Sequence, residues 1–377
     1  MKKQILLHRG EQKTKKEKSD GRTLLILTII LSFLGILAVA DASAPQALSY
    51  FGDSFYFLKQ QLMWTVLGFG ALFVAMVIDY SVWRKFASII FIANLALLLL
   101  VVVPGVGTRV LGARRWISVA GFTLQPSELI KFSLIIYLAK LTELKKPFLN
   151  LILPIVAVAV LIMLEPDLGT TIVVLAVGST QLFVAGVSMI PFIGTGILGV
   201  LGGFLVVLTS AYRRQRLTTF LEASTDPLNS SNYHIRQVLI ALGSGGLFGV
   251  GLGQGKQKYL FLPESATDSV FANIGEELGF VGALVVIGLL GFFVYKMMRI
   301  ATHAPDTFST VLATGIVAWM CMQIFLNIAS MVALIPLTGV PLPFFSYGGS
   351  SLTIILFAVG VLLNISKHST TLAENKK

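Results

Sequence analysis

Three stretches of this sequence set ionisable side chains beside apolar runs, and these are the places where chemistry could be done. The first is Gly112-Ala113-Arg114-Arg115-Trp116, followed by Gln125-Pro126-Ser127-Glu128 and Lys131. Guanidinium forks suit phosphate groups. Pro126 or Ser127 can open a helix, which sets Glu128 and Lys131 three apart on one face. Two readings stay open here. The Glu–Lys pair neutralises itself and pins two helices, or it forms a polar floor beneath a site that Arg109, Arg114 and Arg115 roof over.

The second stretch, Leu262-Pro263-Glu264-Ser265-Ala266-Thr267-Asp268, leads into an apolar run holding Glu276 and Glu277. By spacing alone, Asp268 reads as a cap or a carboxylate favoured by the helix dipole. Glu276 and Glu277 lie two turns deeper, where charge is costly, so cationic partners from neighbouring helices are expected. Glu165 and Asp167 flank a short turn, and Asp167 suits the cap of the next helix. The third stretch, Pro336–Gly349, interrupts two apolar runs with three prolines and three glycines. Irregular backbone at membrane depth is tolerated where it is buried in protein or lines a cavity.

The elements that must position these residues follow from composition. Of 377 residues, 55% are hydrophobic and 12% charged, and the mean hydropathy is +0.84. Soluble domains carry about 25% charged residues, so a water-soluble globule is excluded. A single cysteine, Cys321, rules out an intrachain disulfide and a Cys-based metal centre, and four scattered histidines suggest no metal site. The class that remains is an all-α polytopic membrane protein. A span needs about 20 apolar residues, within a range of ~17–25. Ten candidates occur near Thr23–Ala40, Leu62–Ile78, Phe86–Val103, Leu129–Lys140, Phe148–Leu164, Thr170–Val187, Ile190–Leu208, Val270–Tyr295, Thr310–Ile335 and Ser351–Asn364. The fourth and tenth are short enough to begin inside the preceding loops.

Net charge is +11, and eight of the 29 Lys and Arg residues lie within the first 22 positions. The expected role of that cluster is topological, with both termini cytoplasmic, and not nucleic-acid binding. The first apolar run is longer than the usual ~7–15-residue signal-peptide core, so an uncleaved span is expected despite signal-peptidase-like sites at 40–44. The organisation read here is a basic tail over 1–22, a membrane domain over 23–366 with a long extracytoplasmic loop about 209–269, and a cytoplasmic tail over 367–377. Within that loop, Ile235, Val238, Leu239 and Leu242 have helical spacing. Gly243–Gly255 reads as tightly turning backbone and not as a phosphate-binding P-loop, since no Gly-Lys-Ser/Thr closes it. Outer-side cations gather in 104–128 and 209–269, against the topological bias. An anionic, membrane-borne ligand is one reason for that; salt bridges and headgroup contacts are another.

These motifs resemble the SEDS family (shape, elongation, division and sporulation), whose members include FtsW, RodA and SpoVE. The resemblance rests on Gly112–Trp116, Gln125–Glu128 with Lys131, Pro263-Glu264 with Thr267-Asp268, Gly275-Glu276-Glu277-Leu278-Gly279 and Pro341–Ser351. It runs from about 22 to 367 and is nearer FtsW or SpoVE than RodA. The resemblance implies ten membrane helices in the bacterial cytoplasmic membrane and a peptidoglycan glycosyltransferase acting on lipid II at its outer face. It also implies a class B penicillin-binding protein as transpeptidase partner, beside other division or elongation proteins. The family's essential carboxylate matches Asp268. Two departures are Ser269, where Phe is usual, and Asn273, where an apolar residue is common.

The chemistry expected from that resemblance is one inversion at the donor anomeric carbon. A single general base is enough for it, and undecaprenyl pyrophosphate is released. Asp268 is the expected catalytic residue. Arg109, Arg115, Gln125, Glu128, Lys131, Glu264 and Ser346 are the expected substrate-binding residues, with Glu276 and Glu277 as charge partners. No protein-held metal is expected, although a divalent cation (Mg or Mn) on the pyrophosphate is compatible. The competing readings are a lipid II flippase, which should spread its ionisable residues over both leaflets, and a noncatalytic scaffold.

Overall fold

A computed structural model describes residues 2–375, apart from 106, 111, 112, 120, 121 and most of 189–232. Ten helices and one small sheet are described. They are α1 (Lys2–Phe51), α2 (Tyr56–Val77), α3 (Tyr80–Val102), β1 (Thr108–Val110), β2 (Ala113–Val119), β3 (Phe122–Leu124), α4 (Pro126–Glu143), α5 (Phe148–Leu164), α6 (Leu168–Val184), α7 (Tyr233–Gly245), α8 (Val270–Thr302), α9 (Thr307–Met331) and α10 (Gly349–Asn375). Among the described residues, six helices are long and apolar enough to cross a membrane: α1, α2, α3, α8, α9 and α10. α5 and α6 are apolar and 17 residues each, and α4 has 18, at the lower end of spanning length. Hydrocarbon leaves the backbone only its own partners, which is why the apolar runs become helices. The chain is a multi-pass membrane protein.

The seventh expected span, Ile190–Leu208, falls mostly outside the described residues, as do Arg213 and Arg216. The helical spacing at 235–242 is realised as α7. Two readings differ from the structure. Residues 104–128 are not merely a cationic loop: β1, β2 and β3 pair antiparallel in that order. The Gly-rich stretch after α7 is more than a set of tight turns: it is built into α8, as described below.

α9 and α10 are the most enclosed of the six long helices. α9 packs along α6, α8 and α4, and α10 packs along α2 and α1. Trp319, Phe271, Phe293, Phe308 and Phe345 fill the main core, and Phe91, Leu98, Ile130, Leu134, Ile155 and Ile162 form a second core between α3, α4, α5 and α6. Large apolar side chains remain exposed along α1, α2, α3 and α8, including Ile29, Phe33, Val66, Phe73, Ile89 and Phe280. On a soluble protein such a surface would be a liability; against lipid it is matched to its solvent.

The bundle has two distinct polar ends. At one, Asp20 on α1 pairs with Lys296 and Arg299 on α8, at 2.7 and 2.9 Å. Tyr80, at the start of α3, donates to Asp306 at the cap of α9 (2.5 Å), and Asp79 pairs with His368 on α10. The other end carries the α1–α2 turn, the sheet, the α5–α6 turn, the segment 246–269 and the Pro336–Gly349 loop.

α8 breaks at Gly279, where φ is 68° and ψ −169°. The preceding glycines fill that break. Val250 and Gly251 N–H groups donate to the Glu276 and Glu277 carbonyls, while Phe280 and Val281 N–H groups donate to the Gly246 and Leu247 carbonyls. The helical hydrogen bonds lost at the break are thereby replaced. A methyl group on Gly279 would lie 2.3 Å from Gly249 N, so only glycine fits.

Candidate active site

α4 opens with Pro126 at its first position and Gln125 at the cap, which aims Glu128 and Lys131 into the bundle. Both are buried. Lys131 Nζ lies 2.7 Å from Glu128 Oε1 and 3.2 Å from Gln323 Oε1, and sits over the Trp319 ring at 5.0 Å. The pair is therefore real, and it is joined to α9. Lys131 is 2% exposed, so its charge points to Gln323 and Trp319 and not into open space.

From Gln323 a ladder runs along one face of α9. Trp319, Gln323 and Asn327 are four residues apart and share that face. Trp319 Nε1 donates to Gln323 Oε1 at 2.6 Å, and Gln323 Nε2 donates to the Pro341 carbonyl at 3.0 Å. Asn327 Nδ2 donates to the carbonyls of Asp268 and Val340, at 2.9 and 2.8 Å.

Asp268 is half-buried just before α8. The segment that carries it is knitted to the Pro336–Gly349 loop. Ser346 Oγ donates to the Thr267 carbonyl (2.6 Å) and accepts from Leu342 N–H (2.8 Å), while Tyr347 N–H donates to the Ala266 carbonyl. Glu264 closes the turn beneath: its Oε2 accepts from Thr267 Oγ1 at 2.7 Å, and its own carbonyl accepts from Thr267 and Ser269 N–H. Glu264 and Ser346 thus shape the loop that presents Asp268. The helix cap itself is Ser269, not Asp268, and Ser269 makes no side-chain cap bond. Its hydroxyl lies 2.8 Å from His234 Nε2 on α7 instead.

Arg115 reaches the same end from β2. Its Nε donates to the Glu165 carbonyl (2.9 Å) and Nη2 to the Pro166 carbonyl (2.7 Å), and Nη1 lies 4.0 Å from Asp167 Oδ2. Asp167 caps α6 as expected, accepting from Thr170 N–H at 2.9 Å. Just beyond, a methyl on Gly169 would lie 2.7 Å from the Thr338 carbonyl, and one on Gly339 would lie 3.4 Å from Asp268 Oδ2. The α5–α6 turn held by Arg115 therefore abuts the loop that touches Asp268. Arg109 pairs with Arg114 across β1 and β2, and its side chain lies outside the described residues.

Glu276 and Glu277 hold the glycine strap. Glu276 accepts from the N–H groups of Lys256 (2.9 Å) and Gln257 (3.2 Å). Glu277 accepts from Gly253 and Gly255 N–H and pairs with Lys258 at 2.7 Å. The expected partners from neighbouring helices are replaced by backbone amides and a lysine of the strap itself. Lys258 also reaches Asp41 on α1 at 2.5 Å. Burial alone would depress the lysine, but its bonds to Asp41 and Glu277 outweigh that and hold it above its usual range. Asp41, Lys258, Trp319, Gln323 and Asn327 escaped the sequence reading. The available signal was polarity inside apolar runs: Gln323 and Asn327 stand one turn apart in a span, and Asp41 stands near the end of another.

The family model described as "Cell cycle protein", covering FtsW, RodA and SpoVE, matches residues 22–371. The chain belongs to this FtsW/RodA/SpoVE family. It is 41% identical to stage V sporulation protein E of Bacillus subtilis over 94% of this chain and 99% of that one. Identity is 43% to a probable peptidoglycan glycosyltransferase FtsW of Trichlorobacter lovleyi, over 91% and 92% of the two chains. Among solved structures, a chain from a peptidoglycan synthase complex that coordinates polymerization and crosslinking superposes with a TM-score of 0.75 at 27% identity, covering 92% of this chain and 97% of that one. Rod shape determining protein RodA of Thermus thermophilus superposes at 0.68 with 27% identity, covering 92% and 96%.

Proposed function

We propose that this protein is a peptidoglycan glycosyltransferase that polymerises lipid II at the outer face of the cytoplasmic membrane. The observation that carries the reading is the Asp268 carboxylate, held at the mouth of α8 by loops that also abut the turn bound by Arg115. Names of relatives at about 40% identity point to the same reaction. Asp268 takes the proton of the acceptor 4-hydroxyl as its oxygen attacks the donor anomeric carbon. The bond to undecaprenyl pyrophosphate breaks with inversion, and the electron pair leaves on the pyrophosphate. Arg115 retains guanidinium N–H groups beyond the two given to carbonyls, and these face the developing negative charge. Glu128 fixes Lys131, which contributes positive potential from below and no direct contact.

Among the described residues no three His, Cys, Asp or Glu side chains converge on a metal position. These residues do not make a protein-held Mg or Mn cage. A class B penicillin-binding protein supplies crosslinking alongside, a reading supported by the synthase-complex relative.

Purified protein in detergent, where no membrane sides exist, should polymerise lipid II. Asp268→Ala and Asp268→Asn should lower the rate about 10²- to 10⁴-fold, the usual contribution of a general base. Unchanged glycan-strand synthesis by either variant at normal protein levels would refute the assignment, and polymer formed in detergent argues against pure transport.

A further inference from the structure

The geometry points to Asn327 as the residue that positions Asp268, by holding together the start of α8 and the Pro336–Gly349 loop with the two protons of one carboxamide. This inference rests on the proposed role of Asp268 and concerns how that residue is aimed. Asn327 is 1% exposed, and its Nδ2 is within 2.9 Å of two carbonyls that belong to segments far apart in sequence. One is the carbonyl of Asp268 itself. The other, at Val340, adjoins Gly339, where an added methyl group would lie 3.4 Å from Asp268 Oδ2. The same side chain therefore sets where the Asp268 backbone sits and where the wall facing its carboxylate sits. The position of that wall matters, because a misplacement of about 1 Å can cost about 10²-fold in rate.

Asn327 is itself held. Its backbone carbonyl accepts from Ser330 Oγ at 2.8 Å, and Gln323, one turn earlier, grips Pro341 next to Val340. Two carboxamides on one helix face thus clamp consecutive loop carbonyls, with the Lys131–Glu128 pair behind the first of them. An alanine at 327 would leave two acceptors, one buried and one partly buried, without their carboxamide donor, and serine would restore one donor at most.

The test is lipid II polymerisation by purified Asn327→Ala and Asn327→Ser, with wild type and Asp268→Ala alongside. Lipid II binding stoichiometry counts the folded molecules in each preparation. The expected result for Asn327→Ala is a fall in kcat of about 10- to 100-fold with little change in KM, at wild-type binding stoichiometry. Asn327→Ser should fall between alanine and wild type. Wild-type kcat in Asn327→Ala would overturn the inference, and so would a loss of kcat that merely tracks lost binding stoichiometry. A distinct outcome, Asp268→Ala as active as wild type, would overturn the proposed base and this inference with it.

Discussion

Glu165 lies in the tight turn between α5 and α6 with both carboxylate oxygens buried and without a hydrogen-bond partner. Burial pushes its pKa up to about 8; repulsion from Asp167 adds to this, and Arg115 offsets only part of it. The folded state therefore holds a proton that the unfolded chain, near the ordinary glutamate value of about 4.3, gives up. Stability should fall as pH rises from that ordinary value to about 8, and level off above it. The full difference is of the order of 5 kcal/mol for a shift of this size. Glu165→Gln keeps the shape and cannot ionise. Thermal unfolding in detergent at pH 6 and pH 9 should show a clear drop for wild type and a flatter response for Glu165→Gln. An identical pH dependence in the two proteins would exclude Glu165 as its source. This residue and Asp167 were visible in the sequence as a pair flanking a turn. That the pair is gripped by Arg115, fifty residues away, was not, because the grip goes to carbonyls that every residue has.

At the scale of elements, the glycine strap and α8 form one unit. The strap supplies backbone groups to the break at Gly279, and Glu276, Glu277 and Lys258 lock it in place. Lys258→Met would leave Glu277 buried beside Asp41 without its cation, and breaking a buried pair costs about 3–5 kcal/mol. A lower unfolding midpoint and faster proteolytic cleavage within 246–258 are the expected outcomes. Adding Glu277→Gln should recover part of the loss, since it removes the buried charge beside Asp41 while its one carboxamide oxygen still accepts from one of the Gly253 and Gly255 N–H groups. No recovery in the double variant would mean that the ion pair is not what the strap depends on. The helices here were legible because long apolar runs in lipid have a single backbone solution. The strap was not, since its order comes from a partner helix and leaves only glycines in the sequence. Likewise β1 and β3 span three residues each, too short for a two-residue alternation to show, and their pairing is decided by hairpin contacts.

At the scale of the whole molecule, the charged clusters at the two ends do different work. The Asp20, Asp79 and Asp306 end ties helices together with ion pairs and hydrogen bonds, whereas the Asp268 end gathers Arg115, the carboxylates and the irregular loops. The proposed reaction requires the second end to face the cell wall. Cytoplasmic placement of the first end agrees with the basic residues near the N-terminus and with Arg84, Lys85, Lys145 and Lys146. Lys59 lies on the first turns of α2 at the Asp268 end, and Lys146 lies in the α4–α5 turn at the other; both are exposed. With the exposed Cys321 replaced by serine, Lys59→Cys should react with a membrane-impermeant maleimide in intact cells. Lys146→Cys should react only after the membrane is opened. The reverse pattern would place Asp268 on the cytoplasmic side, away from any acceptor glycan, and the polymerase reading would then fail however well the site is built.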